Sequence, residues 1–507
     1  MISSSGRFRH RHSGGGIGGK PFGEHNHRTP LRRSKINTYN GTDKNHSPTP
    51  AASATKIPKM NECTSIEKMV QVAFDNFLNP NPSADNCGQL RDIAACWSHA
   101  SKILADDHIG KVNEKQQTLL QLKALRNQTV KYIELFEPAD FSKSFVALAK
   151  IFSSTKKNGS HKRDDVAIFR SFLLDVKGNP CENPFQFFLF AAIPLLPRLS
   201  HRDLSCVSYA YSLISESEGK SLKDGPLFLD TIALDVVSRV NARRYRQTTQ
   251  DSDNFCRSLS RILFDFAKSG QSHALLFRVA EKYLCEELSF HQCSPSELAN
   301  ISFSFSKTNE PSSTIFQKIA SAIIAQYTSG TRLAWFKPSD LCTIICSFER
   351  VGELVAAPDE FKRKMNNALF AKLCRQSPHE TFSLEELSDI IWALSKSSLK
   401  QPTLFTKIGA RINLEMQTSH FQPRSLATFV WTCCESNVHI EELFHQESIF
   451  MSACLEQANN FSDEDLHKLY RFHLWQQQRY NCGLPSFLYD KSLEAHFLPS
   501  NLLSEND

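Results

Sequence analysis

The chain has 507 residues and a formal net charge of +6, from 59 Lys+Arg against 53 Asp+Glu. Residues 1–60 hold 11 basic residues and two acids, so +9, which leaves 48 basic and 51 acidic, so −3, for the rest. The basic balance therefore belongs to the first 60 residues, which weakens a reading as a uniformly basic nucleic-acid binder.

Residues 1–60 carry eight of the 19 glycines and are rich in Ser, His, Arg, Thr and Pro, with no apolar periodicity. That composition predicts a disordered basic tail. It reads as an organelle transit peptide, or as a tail that attracts nucleic acid; with no apolar h-region, a secretory route is not expected. Gly14–Lys20 fits the spacing of a phosphate-binding loop, but Pro21 follows the lysine and no strand or helix flanks it, so the match carries no chemistry. Fifteen cysteines without a Cys-x-x-Cys pair point to a reducing compartment, most of them acting as small core residues. The longest apolar run, Phe185–Leu196, contains Pro194 and is too short to span a membrane, so a buried helix is expected.

Residues 61–135 read as a degenerate helical N-terminal cap, with Asp92–Lys102 as a loose first helix. From 136 to 503 one line recurs, clearest in Phe382–Lys396, Cys293–Lys307 and Phe421–Glu435. Aligned on the first apolar helix position, the anchors are Phe141, Leu204, Leu259, Leu298, Leu341, Leu387, Leu426 and Leu466. The last six are 39, 43, 46, 39 and 40 residues apart; the earlier gaps of 63 and 55 imply insertions. Each line opens like a helix. Ser200/Asp203, Ser294/Glu297, Ser383/Glu386 and Ser462/Asp465 have capping-box spacing, and Pro138, Pro295, Pro338 and Pro423 fall at the first helical position. Leu199, Phe336, Phe382 and Phe461 precede the cap, where they can staple onto the anchor.

Counting from the anchor, positions 3, 4 and 7 are mostly apolar and form a core-facing stripe. A second helix follows, marked by the pairs Leu276-Phe277, Ile315-Phe316, Leu404-Phe405 and Leu443-Phe444. One such pair of helices cannot bury its own faces, so neighbours must stack. The predicted fold is all-α: a right-handed α-solenoid of helix–turn–helix repeats of about 40 residues, behind a disordered N-terminal tail.

Positions 2, 6 and 9 project opposite the core stripe and would form three columns in a stacked array: variable polar, small, and basic. The candidate RNA-contacting residues from these columns are Lys143, Lys150, Arg261, Lys268, Asn300, Lys307, Arg350 and Lys396. A basic residue at position 9 equally suits the last turn of a helix, where it meets the macrodipole. Position 5 carries Tyr209, Phe264, Phe303, Trp392 and Trp431, which read first as inter-repeat core and second as base-stacking rings. A further basic cluster, Arg239, Arg243, Arg244 and Arg246 around Tyr245, is a phosphate-contact candidate, as is Lys156, Lys157, Lys162 and Arg163; solvated surface explains either as well. No nucleophile–base pair, His-Glu-x-x-His or zinc spacing occurs, so no catalytic or metal-ligating residue and no cofactor is assigned. Cys342 and Cys346 share a helix face, but the place of Cys346 in the register favours packing.

Leu387-Ser-Asp-Ile-Ile-Trp-Ala-Leu-Ser-Lys396 and Leu426-Ala-Thr-Phe-Val-Trp431 resemble the repeats of octotricopeptide, FAST-kinase-like and RAP-domain proteins, and the helical domain of RNA-editing substrate-binding complex subunits. The resemblance covers residues 136–475. It implies single-stranded RNA as partner and a role in mitochondrial or plastid RNA processing, stability, editing or translation, with protein partners from an organellar RNA-processing complex. RAP-domain proteins add a nuclease-like α/β domain after such repeats. Here the last repeat line ends at Trp475 and the chain runs only to Asp507, so that domain, and an enzymatic role, are not expected. The alternative reading is a protein-binding α-solenoid scaffold whose repeats touch no RNA.

Overall fold

The computed structural model describes residues 86–105, most of 122–157, and 184–497, apart from breaks at 219–224, 245–251, 287–289, 309–310, 327–335, 375–381, 397–401 and 417–420 and at residues 272 and 446. The basic tail and the Gly14–Lys20 match lie outside the described residues.

The described residues are all-α, and their helices pack sequentially as a repeat array. In chain order they are α1 (Asn86–Ala105), α2 (Pro138–Lys157), α3 (Pro184–Ala192), α4 (His201–Glu218), α5 (Gly225–Arg244), α6 (Ser252–Lys268), α7 (Ala274–Glu286), α8 (Pro295–Ser306), α9 (Ser313–Gln326) and α10 (Pro338–Arg350). There follow α11 (Glu353–Ala356), α12 (Asp359–Leu373), α13 (Leu384–Lys396), α14 (Pro402–Met416), α15 (Pro423–Glu435), α16 (Glu441–Phe444), α17 (Ile449–Glu456), α18 (Asp463–Tyr480) and α19 (Ser486–Phe497). The apolar run at 185–196 is not one helix: α3 gives way at Ile193 to a 3-10 turn containing Pro194 and Pro197, and Phe190 stays exposed.

Of the eight helices that carry an anchor, all but α6 begin three residues before it, as the cap residues predict. Ser294 accepts from the Glu297 amide while the Glu297 carboxylate takes the Ser294 amide at 2.7 Å. Ser383/Glu386 and Ser462/Asp465 repeat this exchange. In α4 only the forward half forms: the Asp203 amide donates to Ser200 Oγ at 3.1 Å, and the carboxylate takes the Ser200 hydroxyl proton instead of an amide. The eight anchors and positions 3, 4 and 7 of every unit are buried, as are Leu199, Phe336, Phe382 and Phe461 before the caps. Truncating an anchor leucine to alanine in such a site costs about 2–5 kcal/mol.

First helices pack on first helices in the order α1, α2, α4, α6, α8, α10, α13, α15, α18, and second helices likewise follow one another. Each first helix between α1 and α18 thus has a first helix on both flanks. Position 1 faces the next unit: Ser142 Oγ donates to Asp203 Oδ1 at 2.9 Å, and Cys342 Sγ points at the Glu386 carbonyl at 3.6 Å. Position 6 faces the previous unit and is buried in all eight, as Ala147, Ala210, Asp265, Ser304, Ser347, Ala393, Thr432 and Phe472. This corrects the expectation that position 6 belongs to the open face. Apart from Asp265 and Phe472, the side chains there are small because two helix backbones meet, not because a ligand needs room.

Candidate nucleic-acid interface

With both flanks and the core stripe covered, a first helix keeps one open strip, made by positions 2, 5 and 9. Position 2 is exposed or half-buried in every unit, as Lys143, Cys206, Arg261, Asn300, Thr343, Asp389, Thr428 and Lys468. The position-5 aromatics Tyr209, Phe264, Phe303, Trp392 and Trp431 are all half-buried, so they edge the core and keep one side open. At position 9 Lys150, Lys268, Lys307 and Arg350 are exposed.

These columns touch one another between units. The Arg261 guanidinium carbon lies 4.3 Å from the Tyr209 ring centre of the preceding unit and 5.4 Å from that of Phe264 on its own helix. Phe264 in turn lies 4.9 Å from Phe303 of the next unit, and Lys307 Nζ sits 5.7 Å above the Phe303 ring. The result is a run Tyr209–Arg261–Phe264–Phe303–Lys307 across three units. Aromatic faces with interleaved cations suit stacking of flat, electron-rich rings.

Arg261 is aimed by Asp265, the one acid at position 6. Its Nε lies 3.1 and 3.2 Å from the two Asp265 carboxylate oxygens. Asp265 is only 1% exposed. Burial pushes its carboxyl up to about 7, against the opposing pull of Arg261 and Lys268. Lys307 and Arg350 share a second site. Arg350 Nη1 reaches across the junction to Ser306 Oγ at 3.1 Å. Partial burial, and then the Arg350 charge, lower the Lys307 ammonium below its usual range. Arg350 also acts on the Asp389 carboxylate of the next unit, and the two neighbouring cations together favour an incoming anion.

Beside the strip, at the N-terminal ends of α4, α6 and α8, lies a groove of about 1080 Å³. Arg202, Arg257, Arg261, Tyr209, Asn300 and several serines line it. It adjoins a second groove of about 440 Å³ that holds Lys143 and Lys150 and shares Ser200, Arg202 and Cys206 with it. Helix N-termini add partial positive charge here. Arg202 and Arg257 both sit two residues before an anchor; that shared register was the available signal for them in the sequence, and the polar columns missed it.

The remaining candidates divide. Arg239 lines the larger groove but is held by the protein itself: its guanidinium donates to the Leu199 and Leu196 carbonyls at 2.7 and 2.8 Å and pairs with Asp235 at 2.6 Å. It closes the exposed carbonyl end of the 3-10 turn. Arg243, Arg244 and Lys396 lie on α5 and α13, but their side chains are outside the described residues, as are Arg246, Lys162 and Arg163 and the side chains of Lys156 and Lys157. Lys143 pairs with Asp140 at 3.4 Å and Arg257 with Glu297 at 3.2 Å. Both cations are mostly exposed, so these pairs are weak and exchangeable.

No helix among the described residues is long and apolar enough to cross a membrane. No protein-family model matches the chain, and no curated protein sequence matches it.

Proposed function

We propose that the repeat array binds single-stranded RNA along the open strip of its first helices, without catalysis, in mitochondrial or plastid RNA metabolism. In this reading the array is a right-handed α-solenoid, residues 1–60 are a disordered import tail, and 61–135 cap the repeats. The observation that carries it is the Tyr209–Arg261–Phe264–Phe303–Lys307 run, flanked by an arginine-lined groove. Bases stack on the rings, and phosphates follow Lys150, Arg202, Arg257, Lys268, Lys307 and Arg350. RNA loops and ends, whose bases are unpaired, fit this strip better than duplex does, because stacking needs free base faces. The transcript-processing and organellar parts rest on the family resemblance of the repeat lines.

The test is binding of fluorescent single-stranded RNA across a salt series, with and without residues 1–60. Affinity that survives loss of the tail supports the strip. Affinity that vanishes with it supports the scaffold reading, in which the repeats hold protein partners alone.

A further inference from the structure

One cluster belongs neither to the stacking run nor to the groove. At the junction of α10 and α13, Cys342 Sγ and Cys346 Sγ lie 3.9 Å apart, one helical turn from each other. From the next unit Asp389 brings its carboxylate in, so that one ligand atom from each of the three lies within 4.8 Å of the others. Both thiols are buried and Asp389 is exposed, so the cluster is protein-lined on one side and open to water on the other.

We propose that Cys342, Cys346 and Asp389 form a binding site for a thiophilic divalent cation of the Zn2+ class, clipping the unit of Leu341 to that of Leu387. The geometry fits without backbone movement. Two sulfurs bound at about 2.3 Å to a tetrahedral zinc are about 3.8 Å apart, close to the separation already present. A sulfur and a carboxylate oxygen on the same ion are about 3.6 Å apart, so the carboxylate closes by roughly 1 Å, within reach of one torsion of an exposed side chain. Water takes the fourth vertex from the open side. The charge also fits: two thiolates, one carboxylate and a dication sum to −1, and Arg350 lies close enough to act on Asp389. The hydrogen bond between the two sulfurs, and then burial, raise the Cys342 thiol well above the ordinary range. A metal takes each sulfur as thiolate, so binding expels thiol protons.

This inference is independent of the RNA reading. Its test uses the reduced, chelator-treated full chain, titrated with Co2+ as spectroscopic probe and then with Zn2+. Because His10, His12, His25 and His27 in the tail and the other cysteines are further donors to a thiophilic ion, each titration is compared with C342S/C346S. The expected result is a thiolate-to-Co2+ charge-transfer band and about one equivalent of tight binding that the double variant lacks, with about two protons released per ion in calorimetry across buffers. D389N, an exposed change that leaves both thiols in place, should weaken Zn2+ by about tenfold or more. Equal stoichiometry and equal spectra for the wild type and C342S/C346S would overturn the site. Should C342S/C346S not fold, unchanged Zn2+ affinity in D389N overturns it alone.

Discussion

Arg261 of one unit sits over the ring of Tyr209 of the unit before it, its guanidinium carbon 4.3 Å from the ring centre, while its Nε donates to Asp265 one turn further along α6. A surface arginine is thereby turned into a rigid part of a stacking surface. Lysine cannot take its place: a point ammonium has neither the planar fork nor the flat face. R261K should thus lose RNA affinity almost as fully as R261A. Loss of one cation–π and stacking contact is on the order of 1 kcal/mol, about fivefold in Kd. The measurement is Kd by anisotropy for both variants. Affinity retained in R261K would reduce Arg261 to a simple charge.

Asp265 also makes the site sensitive to pH. Its folded pKa, near 7, is above the unfolded value of about 3.9. Below about pH 4 both states are protonated and this group contributes nothing. As pH rises toward 7 the unfolded state gives up its proton first, so stability falls, and above 7 the full cost of a buried carboxylate is present. D265N should lack this decline, raising the melting temperature at pH 8 and leaving it nearly unchanged at pH 4. The same titration should tune binding. With Asp265 protonated, the Arg261 charge is no longer offset, so wild-type RNA affinity should rise from pH 8 to pH 6 and stay level in D265N. An equal pH response in both proteins would remove Asp265 from the account.

The helix starts were legible because their signals are local. Ser294, Pro295 and Glu297 bond to, or replace, amides within one turn, so the residues alone specify the cap. Anchor burial follows equally from the 3.6-residue period. The open face was half legible. Projection of one helix predicts a single core side, and it placed Ala393 and Ser304 opposite it; a first helix in an array has three covered sides. The clue was smallness: Ser, Ala and Cys at positions 1 and 6, where neighbouring backbones approach. The partners of Arg239 were hidden for a different reason. Runs of arginine in sequence show charge density, but not that the Leu196 and Leu199 carbonyls lie within reach. The joining of Tyr209 to Arg261, and of Asp389 to Cys342, depends on inter-unit register, which helix periodicity does not contain.

Gly409, inside α14, sets two rules against each other. Helix propensity favours alanine over glycine by about 1 kcal/mol. A Cβ there would stand 2.4 Å from Ile440 Cγ2, which cannot be a real contact. Ile440 is only 2% exposed and has little room to yield. Overpacking of this kind costs about 1–3 kcal/mol, so G409A should be net destabilising. A lower urea midpoint than wild type is expected, and a higher one would mean that the second-helix layer gives way easily.

The basic run of the strip is local. At position 9 it is Lys268, Lys307, Arg350 and Lys396, followed by Glu435 and Trp475; at position 2 Lys143 and Arg261 are followed by Asp389 and then Lys468. With a body of net charge −3, RNA held by this face should follow the local column and not the global field. Each phosphate contact to a single strand contributes about −0.7 to the slope of log Kobs against log salt. Reversing Lys268, Lys307, Arg350 and Lys396 to Glu should therefore flatten that slope by up to about 0.7 per residue. The control is a matched set of four: Arg278, Lys282, Lys318 and Lys407, exposed on second helices, changed to Glu. It alters net charge equally but lies off the strip, so its slope should stay near the wild-type value. If both sets flatten the slope alike, attraction is diffuse, and the ordered column plays no part in holding the strand.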